Sequence, residues 1–522
     1  MSIPAEQTEV AAFLRRLAGA DPIETHISLV YVGADTVWKL KKSVRLLFLD
    51  FTGLDDRRHF AERELALNRA AAPGMYRDVV PIRRAPDGGL TLDGAGDWPV
   101  VDWPVVDSPV VDWVLRMARI EAGDFLPDVA AAGRLDPPLL DAIGDAIAAY
   151  HAGLPPLTGV LPDMRQTAIG NASAARDADL PAETVGRWEA AVSAKLDLLT
   201  DWTHARSAAG FVRRGHGDLH LGNLCLWRGR PVPFDALEFD ERLATVDLGY
   251  DLAFLLMDLD VRVSRSSANR VLNRYVARTA DVGLVRGLPV FLSIRALIRA
   301  RVESRTEHSD PAARYLAASL DYLSPPAPVV VAIGGLPGTG KSTLARLLAP
   351  DLGGAPGALI IRSDEIRKRQ AGVSPEQRLP PSAYTPDASR TVFAELAEMT
   401  EAAATAGHAV IADATFMDPG HRSMVAAAAQ ASGAPFVGLW LEAPLAELER
   451  RVAERVGDAS DATVDVLRSA ARRDPGAGGW HRIDATDMTT ARDLAIATLR
   501  PHVVSCEQRK PELHNKAPFE RS

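Results

Sequence analysis

Apolar and polar positions change their period several times along this chain. From Thr25 to Leu49 they alternate: His26-Ile27-Ser28-Leu29-Val30-Tyr31-Val32, a break at Gly33-Ala34-Asp35, then Thr36 to Leu40. Alternation on both sides of a short Gly/Asp break predicts a β-hairpin. Arg57 to Ala72 shifts to helical spacing. From Pro138 to Leu323 the pattern is mainly helical, and Asp141 to His151 is clearly amphipathic. Short strand-like pieces interrupt it at Phe211-Val212, at Leu224-Cys225-Leu226-Trp227 and at Val232-Pro233-Phe234, with Arg228-Gly229-Arg230 as the turn between the last two. After Ser324-Pro325-Pro326-Ala327-Pro328, a semi-rigid linker, apolar runs recur at Val329–Ile333, Ala358–Ile361, Ala409–Ala412 and Phe436–Leu441, separated by helical stretches. Strands alternating with helices predict a parallel sheet covered on both faces. The expected division is a first domain over 1–323, the linker 324–328, a second domain over 329–500 and a disordered tail over 501–522. A local repeat, Pro-Val-Val-Asp-Trp/Ser, runs from Pro99 to Trp113. Proline at every fifth position removes ladder donors, so this stretch is expected to be an edge strand or an extended connector.

Composition narrows the picture. A chain of 522 residues exceeds one core. The net charge of −9 offers no basic field for nucleic acid. The two cysteines, Cys225 and Cys506, exclude a disulfide framework and suit a reducing cytosol. The N-terminus lacks the basic-then-apolar run of a signal peptide, and no stretch of about twenty apolar residues occurs. A cytoplasmic protein with neither a membrane nor a nucleic-acid partner is expected. Oligomeric state is not legible.

The clearest chemistry lies at Gly335-Leu336-Pro337-Gly338-Thr339-Gly340-Lys341-Ser342, which follows the first apolar run of the second domain and opens a helix. Glycines let the backbone wrap so that N–H groups face phosphate oxygens, and the helix N-terminus adds partial positive charge. Gly335 to Thr343 are therefore candidate ATP-binding positions, with Lys341 reaching the β- and γ-phosphates and Ser342 holding Mg2+. Asp364 follows the next strand, with Arg367 one turn on; this pair can orient an acceptor hydroxyl as a catalytic carboxylate does, or serve as an N-cap on a surface helix. Asp413 ends another strand and is a second metal candidate. Arg450, Arg451 and Arg455 stand close together; Arg451 and Arg455 are candidates for closing over ATP, and a solvated basic face is the alternative.

A second signature is His216-Gly217-Asp218-Leu219-His220-Leu221-Gly222-Asn223, followed by Asp235. Phosphoryl transfer needs one carboxylate to take or orient the proton of the attacking hydroxyl. It also needs an amide and a second carboxylate to hold Mg2+ on the phosphates. Asp218 fits the first role, and Asn223 and Asp235 the others. His216 and His220 are expected to be structural. A lysine should pair with the ATP phosphates and a glutamate should fix it. Lys39 and Lys41 fall on one face of a strand, so spacing cannot separate them. Lys39 is favoured, with Glu64 as its partner and Glu62 second.

The loop His-Gly-Asp-Leu-His-x-Gly-Asn resembles that of the aminoglycoside phosphotransferase and choline kinase family, over roughly residues 20–320. Asp247 and Asp251 resemble that family's acidic stretch after the metal-binding aspartate, and are expected to be structural or substrate-side. The phosphate loop, Asp364/Arg367, Asp413-Ala414-Thr415 and the arginines resemble small P-loop kinases related to gluconate kinase, polynucleotide kinase and chloramphenicol phosphotransferase. The order of the two domains is similar to a bacterial family described as an aminoglycoside phosphotransferase fused to an ATP-binding protein. The resemblance implies an α+β protein-kinase-like bilobal domain followed by an α/β P-loop NTPase domain with a parallel sheet. It implies ATP and Mg2+ as cofactors, and a phosphotransferase acting on a hydroxyl of a small molecule (amino-sugar, sugar or polyol). Absence of a G-x-G-x-x-G loop before Lys39 argues against a protein kinase. Acids around Asp218, Asp247 and Asp251 suggest a polyol or a cationic amino-sugar. The alternative expectation is a nucleotide-binding regulatory or stress protein in which one domain senses ATP without turning over a metabolite.

Overall fold

The computed structural model describes residues 3–46, 49–92, 108–305, 309–455, 459–476 and 479–502. The chain forms two compact units, residues 1–163 with 200–255, and residues 164–199 with 256–522. Among the described residues no helix is long and apolar enough to cross a membrane. The first two copies of the proline repeat, up to residue 107, lie outside the described residues, as do Cys506 and nearly all of the tail expected to be disordered.

The first unit carries a six-stranded antiparallel sheet. Its strands are β1 (Ile23–Glu24), β2 (Ser28–Val32), β3 (Thr36–Lys41), β4 (Tyr76–Arg84), β5 (Leu90–Leu92) and β6 (Val110–Ala118), in the order β1-β2-β3-β6-β4-β5. The expected hairpin is β2–β3, with Tyr31 opposite Trp38 and Val30 opposite Lys39. Alternation turns Leu29, Tyr31, Leu40 and Val114 inward against helix α1 (Thr8–Ala18). Lys39 and Lys41 take the opposite face, where helix α2 (Leu54–Arg69) presents Glu64. The third repeat copy, Pro109 to Trp113, departs from the edge-strand expectation: it enters β6, an interior strand. Pro109 stands just before the strand and so costs no ladder donor. The Asp112 side chain is buried, accepting from Gln7 Nε2 at 2.7 Å and from Arg57 Nε at 2.8 Å.

Short elements complete this unit. Strand Val212–Arg214 pairs with Thr245–Asp247, and Leu224–Trp227 pairs with Arg230–Pro233. The chain then enters helix α3 (Leu248–Arg262).

The second unit holds a five-stranded parallel sheet of β7 (Val330–Gly335), β8 (Leu359–Arg362), β9 (Val410–Asp413), β10 (Phe436–Glu442) and β11 (His481–Asp484), in the order β8-β9-β7-β10-β11. Every residue of β7 is buried, as a strand covered on both faces requires. The first four strands match the apolar runs; β11, exposed except at Ile483, gave no such run. Helix α4 (Arg265–Thr279) also belongs to this unit. Its Asn273 receives the Ile360 N–H at 2.6 Å and, with Asn269, donates to Ala358 O, which closes the open edge of β8. The compact units therefore do not part at the proline-bearing stretch 324–328.

Candidate functional sites

In the first unit, period two in β3 delivers two lysines to one glutamate. Glu64 is fully buried; its Oε1 accepts from Lys39 Nζ at 2.7 Å and its Oε2 from Lys41 Nζ at 2.9 Å. Lys39 also donates to Asp235 Oδ1 at 2.5 Å, while Lys41 donates to Glu238. Both lysines thus pair with Glu64, and Lys39 is the one that reaches Asp235. Glu62 is exposed and takes Arg58 instead. Burial disfavours the Lys39 ammonium, yet Asp235, Glu64 and Glu238 together override it and hold its pKa well above the usual lysine value. Burial likewise opposes the Glu64 carboxylate, but the two ammonium groups bring it down to about 2. Glu238 moves the other way: burial, with Glu64 nearby, pushes it up against the pull of Lys41.

Asp235 adopts φ 61°, the left-handed region, which Asp tolerates better than most residues. Its N–H donates to Tyr76 Oη at 2.9 Å, the Ala236 N–H to Asn68 Oδ1 at 2.9 Å, and the Leu237 N–H to His216 O at 2.9 Å. The backbone of the candidate metal ligand is therefore fixed independently of its side chain.

The loop 216–223 brings Asp218 and Asn223 together. Asn223 Nδ2 donates to Asp218 O at 2.9 Å and to Asp218 Oδ2 at 3.0 Å. His216 is buried: Nε2 lies 2.9 Å from Phe234 O, and burial depresses its pKa. His220 Nδ1 accepts the Gly222 N–H at 3.0 Å, and its ring packs against Phe254. Asp251 is fully buried and accepts the N–H groups of His216 at 2.7 Å and Gly217 at 3.0 Å. Asp247 is also buried, accepting from Arg206 Nη2 at 2.9 Å and from the Gly249 N–H at 2.7 Å. The expectation of an acidic subsite for cations is thereby reduced to Asp218, because Asp247 and Asp251 are committed to holding the scaffold.

In the second unit, the phosphate loop sits between β7 and helix α5 (Lys341–Leu348), with Gly340 as N-cap. Only glycine fits its walls. A Cβ on Gly335, at φ 141°, would lie 2.6 Å from Leu441 O; one on Gly338, at φ 87°, would lie 2.8 Å from Leu448 O. Pro337 and Thr339 are buried, and Thr343 is exposed. Leu336 O accepts from Lys341 Nζ at 3.0 Å and from Thr339 Oγ1 at 2.8 Å, so the lysine lies back across its own loop. Ser342 Oγ donates to Asp413 Oδ2 at 2.5 Å, bringing both candidate metal ligands together at the end of β9. The same oxygen accepts from Arg362 Nε at 3.2 Å, and Arg362 Nη1 donates to Glu365 at 3.0 Å.

Asp364 opens helix α6 (Ser363–Gln370); burial raises its pKa, and Asp413 adds to this against Arg362 and Lys341. Burial lowers Lys341, with Arg455 and Arg362 adding to the effect and Asp413 and Asp364 opposing it. Arg367 donates to Ala383 O at 2.6 Å and lies over the Tyr384 ring at 4.7 Å. The arginines near helix α7 (Leu445–Glu454) separate. Arg450 is exposed and pairs with Glu447 and Glu454. Arg451 bonds Glu447 at 2.7 Å, Ala485 O at 3.0 Å and Thr486 O at 2.7 Å, tying α7 to the end of β11. Arg455 donates to Ala462 O at 2.7 Å, and its charge acts on Lys341. Sequence reasoning missed Glu238 and Arg362. The second carried a signal, a charge directly ending the buried run Leu359–Ile361.

Among the described residues no three His, Cys, Asp or Glu side chains converge as a protein-only metal cage. In the second unit a carboxylate bonds a hydroxyl, Asp413 with Ser342; in the first, the candidates Asn223 and Asp235 lie on segments joined by the backbone, the Phe234 N–H donating to Asn223 O at 3.0 Å. That donor set suits Mg2+, which takes one or two carboxylates and leaves its remaining positions to phosphate and water. The glycine-only cradle at Gly335 and Gly338 likewise fits a polyphosphate.

An α+β region bearing the His216–Asn223 loop and an α/β region bearing the glycine-rich loop Gly335–Ser342 stand in one chain. Residues 330–473 match the family model described as an AAA domain. An uncharacterized protein of Mycobacterium tuberculosis and one of Mycobacterium bovis are each 27% identical over 482 residues, covering 89% of this chain and 92% of their own. Among solved structures, a gluconokinase from Sinorhizobium meliloti is similar over 34% of this chain and 95% of its own, at 18% identity and a TM-score of 0.25. The GDP complex of wild-type aminoglycoside 2'-phosphotransferase-IIIa is similar over 61% of this chain and 99% of its own, at 14% identity and a TM-score of 0.35. A choline kinase from Cryptosporidium parvum covers 58% and 86%, at 9% identity and a TM-score of 0.35.

Proposed function

We propose that this protein is a cytoplasmic, ATP- and Mg2+-dependent phosphotransferase that moves the γ-phosphate to a hydroxyl of a small molecule: an amino-sugar, a sugar or a polyol. The observation that carries the proposal is the set of side-chain contacts made by the candidate residues in the first unit. Asn223 bonds Asp218, and Lys39 bridges Glu64 to Asp235. Asp218 is the base: its half-exposed carboxylate can meet an incoming hydroxyl and accept its proton. Glu64 keeps Lys39 charged and aimed. Asn223 and Asp235 are the Mg2+ ligands. In the second unit Lys341 and the loop Gly335–Thr343 bind the polyphosphate, Ser342 and Asp413 hold Mg2+, and Asp364 orients an acceptor. Arg455 faces the phosphates, while Arg451 holds the segment Ala485–Thr486 beside them. Bound Mg·ATP supplies the transferable phosphoryl group and neutralises its developing charge. The protein's share is positioning and electrostatics, with no covalent intermediate on a side chain.

The test is ATP consumption across amino-sugars, aminoglycosides, sugars, polyols and nucleosides, with wild type, Asp218→Asn and Lys341→Ala. Acceptor-dependent turnover lost in one variant assigns the active site. Acceptor-dependent turnover retained in both variants refutes the site assignment. ATP binding without any acceptor dependence would instead favour a nucleotide-sensing protein.

A further inference from the structure

We infer that Lys41 and Glu238 form a second tether for the Asp235 segment, one that keeps this carboxylate in place when Lys39 turns to phosphate. The inference rests on the proposed reading of the first site and makes Glu238 a positioning residue. Lys39 faces two competing demands. Its ammonium serves Glu64 and Asp235 at once, at 2.7 and 2.5 Å. Phosphoryl transfer gives both ends of the second contact other work: Lys39 to phosphate oxygens, Asp235 to Mg2+. The 2.5 Å contact must then loosen. Were it the sole side-chain link from β3 to residues 235–238, the metal ligand would lose that link at the moment of use.

Lys41 supplies another. It lies two residues along β3 on the same face, and Glu238 lies three residues beyond Asp235. Their contact is sealed: the Lys41 and Glu238 side chains are 2% and 5% exposed, against 40% for Asp235. A ligand reaching Asp235 does not reach this pair. The five side chains form one chain of alternating charge, Asp235–Lys39–Glu64–Lys41–Glu238. The backbone pins at Asp235, Ala236 and Leu237 come from Tyr76, Asn68 and His216, none of which lies on β3. Glu238 thus links the metal-ligand segment to the strand that carries the phosphate lysine.

Full-length protein carrying Lys341→Ala, which silences the phosphate loop, isolates the first site. Calorimetry with AMP-PNP, with and without Mg2+, gives the gain in affinity that the metal brings. Glu238→Gln is expected to cut that gain by about tenfold, the range for residues that orient a metal ligand. Metal-free AMP-PNP affinity should stay within about twofold, since the phosphate lysine keeps Glu64. Lys41→Gln breaks the same link from the other end. It is expected to lose the gain equally, and it carries the test if Glu238→Gln does not fold. Asp235→Asn is the reference and should abolish the gain. A full Mg2+ gain in a folded Glu238→Gln or Lys41→Gln protein, with the gain lost in Asp235→Asn, overturns the tether and leaves the proposed site standing. A full gain in Asp235→Asn overturns both.

Discussion

Asp251 is the residue on which the loop 216–223 of the first unit hangs, and removing it has a calculable effect. Its carboxylate is fully buried and accepts the N–H groups of His216 at 2.7 Å and Gly217 at 3.0 Å. Asp251→Ala leaves both N–H groups buried with no acceptor from that side chain. A hydrogen bond to a charged group is worth about 1.5–3 kcal/mol, so two represent about 3–6 kcal/mol. Part of this returns, because burying a carboxylate is itself costly. A net local loss of about 3 kcal/mol remains, within the total stability of an ordinary domain. The fold should therefore survive while the loop opens about a hundredfold more often. Hydrogen exchange read on peptides covering 212–223 should show that loss of protection, with the β9 strand Val410–Asp413 unchanged as reference. Acceptor-dependent turnover should fall by about a hundredfold, since Asp218 sits directly after the two released amides. Unchanged protection at His216 and Gly217 would refute the reasoning, whatever the activity.

Three further outcomes follow from the second unit. Gly335→Ala places a Cβ 2.6 Å from Leu441 O, so calorimetric ATP titration should lose the phosphate-loop component by at least about tenfold; an unaltered isotherm counts against the cradle. Arg362→Met strips the buried Asp413 of its guanidinium, and loss of one partner of a buried pair predicts destabilisation of about 3–5 kcal/mol. Urea unfolding within about 1 kcal/mol of wild type would contradict that value. His408 is buried against Gly357 O, and burial brings its pKa from 6.5 down to about 4. The fold therefore favours the neutral ring, and its contribution is complete above pH 6.5 and lost as pH falls towards 4. Linkage puts the loss at roughly 3 kcal/mol. Urea midpoints followed over that range should flatten in His408→Asn, and an identical slope would exclude His408 as the source.

How much of this was legible depended on where each group finds its partner. The phosphate loop was readable because its cradle, Gly335 to Ser342, is contiguous and lies between an apolar run and a helix. Asp218 and Asn223 were readable for the same reason, their bond spanning only five residues. Lys39 and Lys41 were not separable, because a period of two sends both to one face; only α2, arriving from another part of the chain, shows that they share Glu64. The proline repeat misled because near-identical pentapeptides carry no record of burial. Asp112 is interior on account of Gln7 and Arg57, 105 and 55 residues away. Glu238 carried no motif to set it apart, and for Asp247 and Asp251 the sequence left structural and substrate-side roles both open.

Exposure decides among these carboxylates where residue type cannot. Asp218 and Asp235 have side chains 43% and 40% exposed. Glu64 and Asp251 are at 0%, Glu238 at 5% and Asp247 at 6%. A buried carboxylate must be matched by a cation or by N–H donors, and each of these four is matched within the protein. Lys39 and Lys41 answer Glu64; Lys41 answers Glu238; Arg206 answers Asp247; two backbone amides answer Asp251. Those four acids have spent their charge on the scaffold. A metal ion or a hydroxyl can compete only for the two that water already reaches, and these are the two that motif spacing nominates as base and metal ligand. The signature tells which acids have the right spacing, and the fold tells which of them are still available for chemistry.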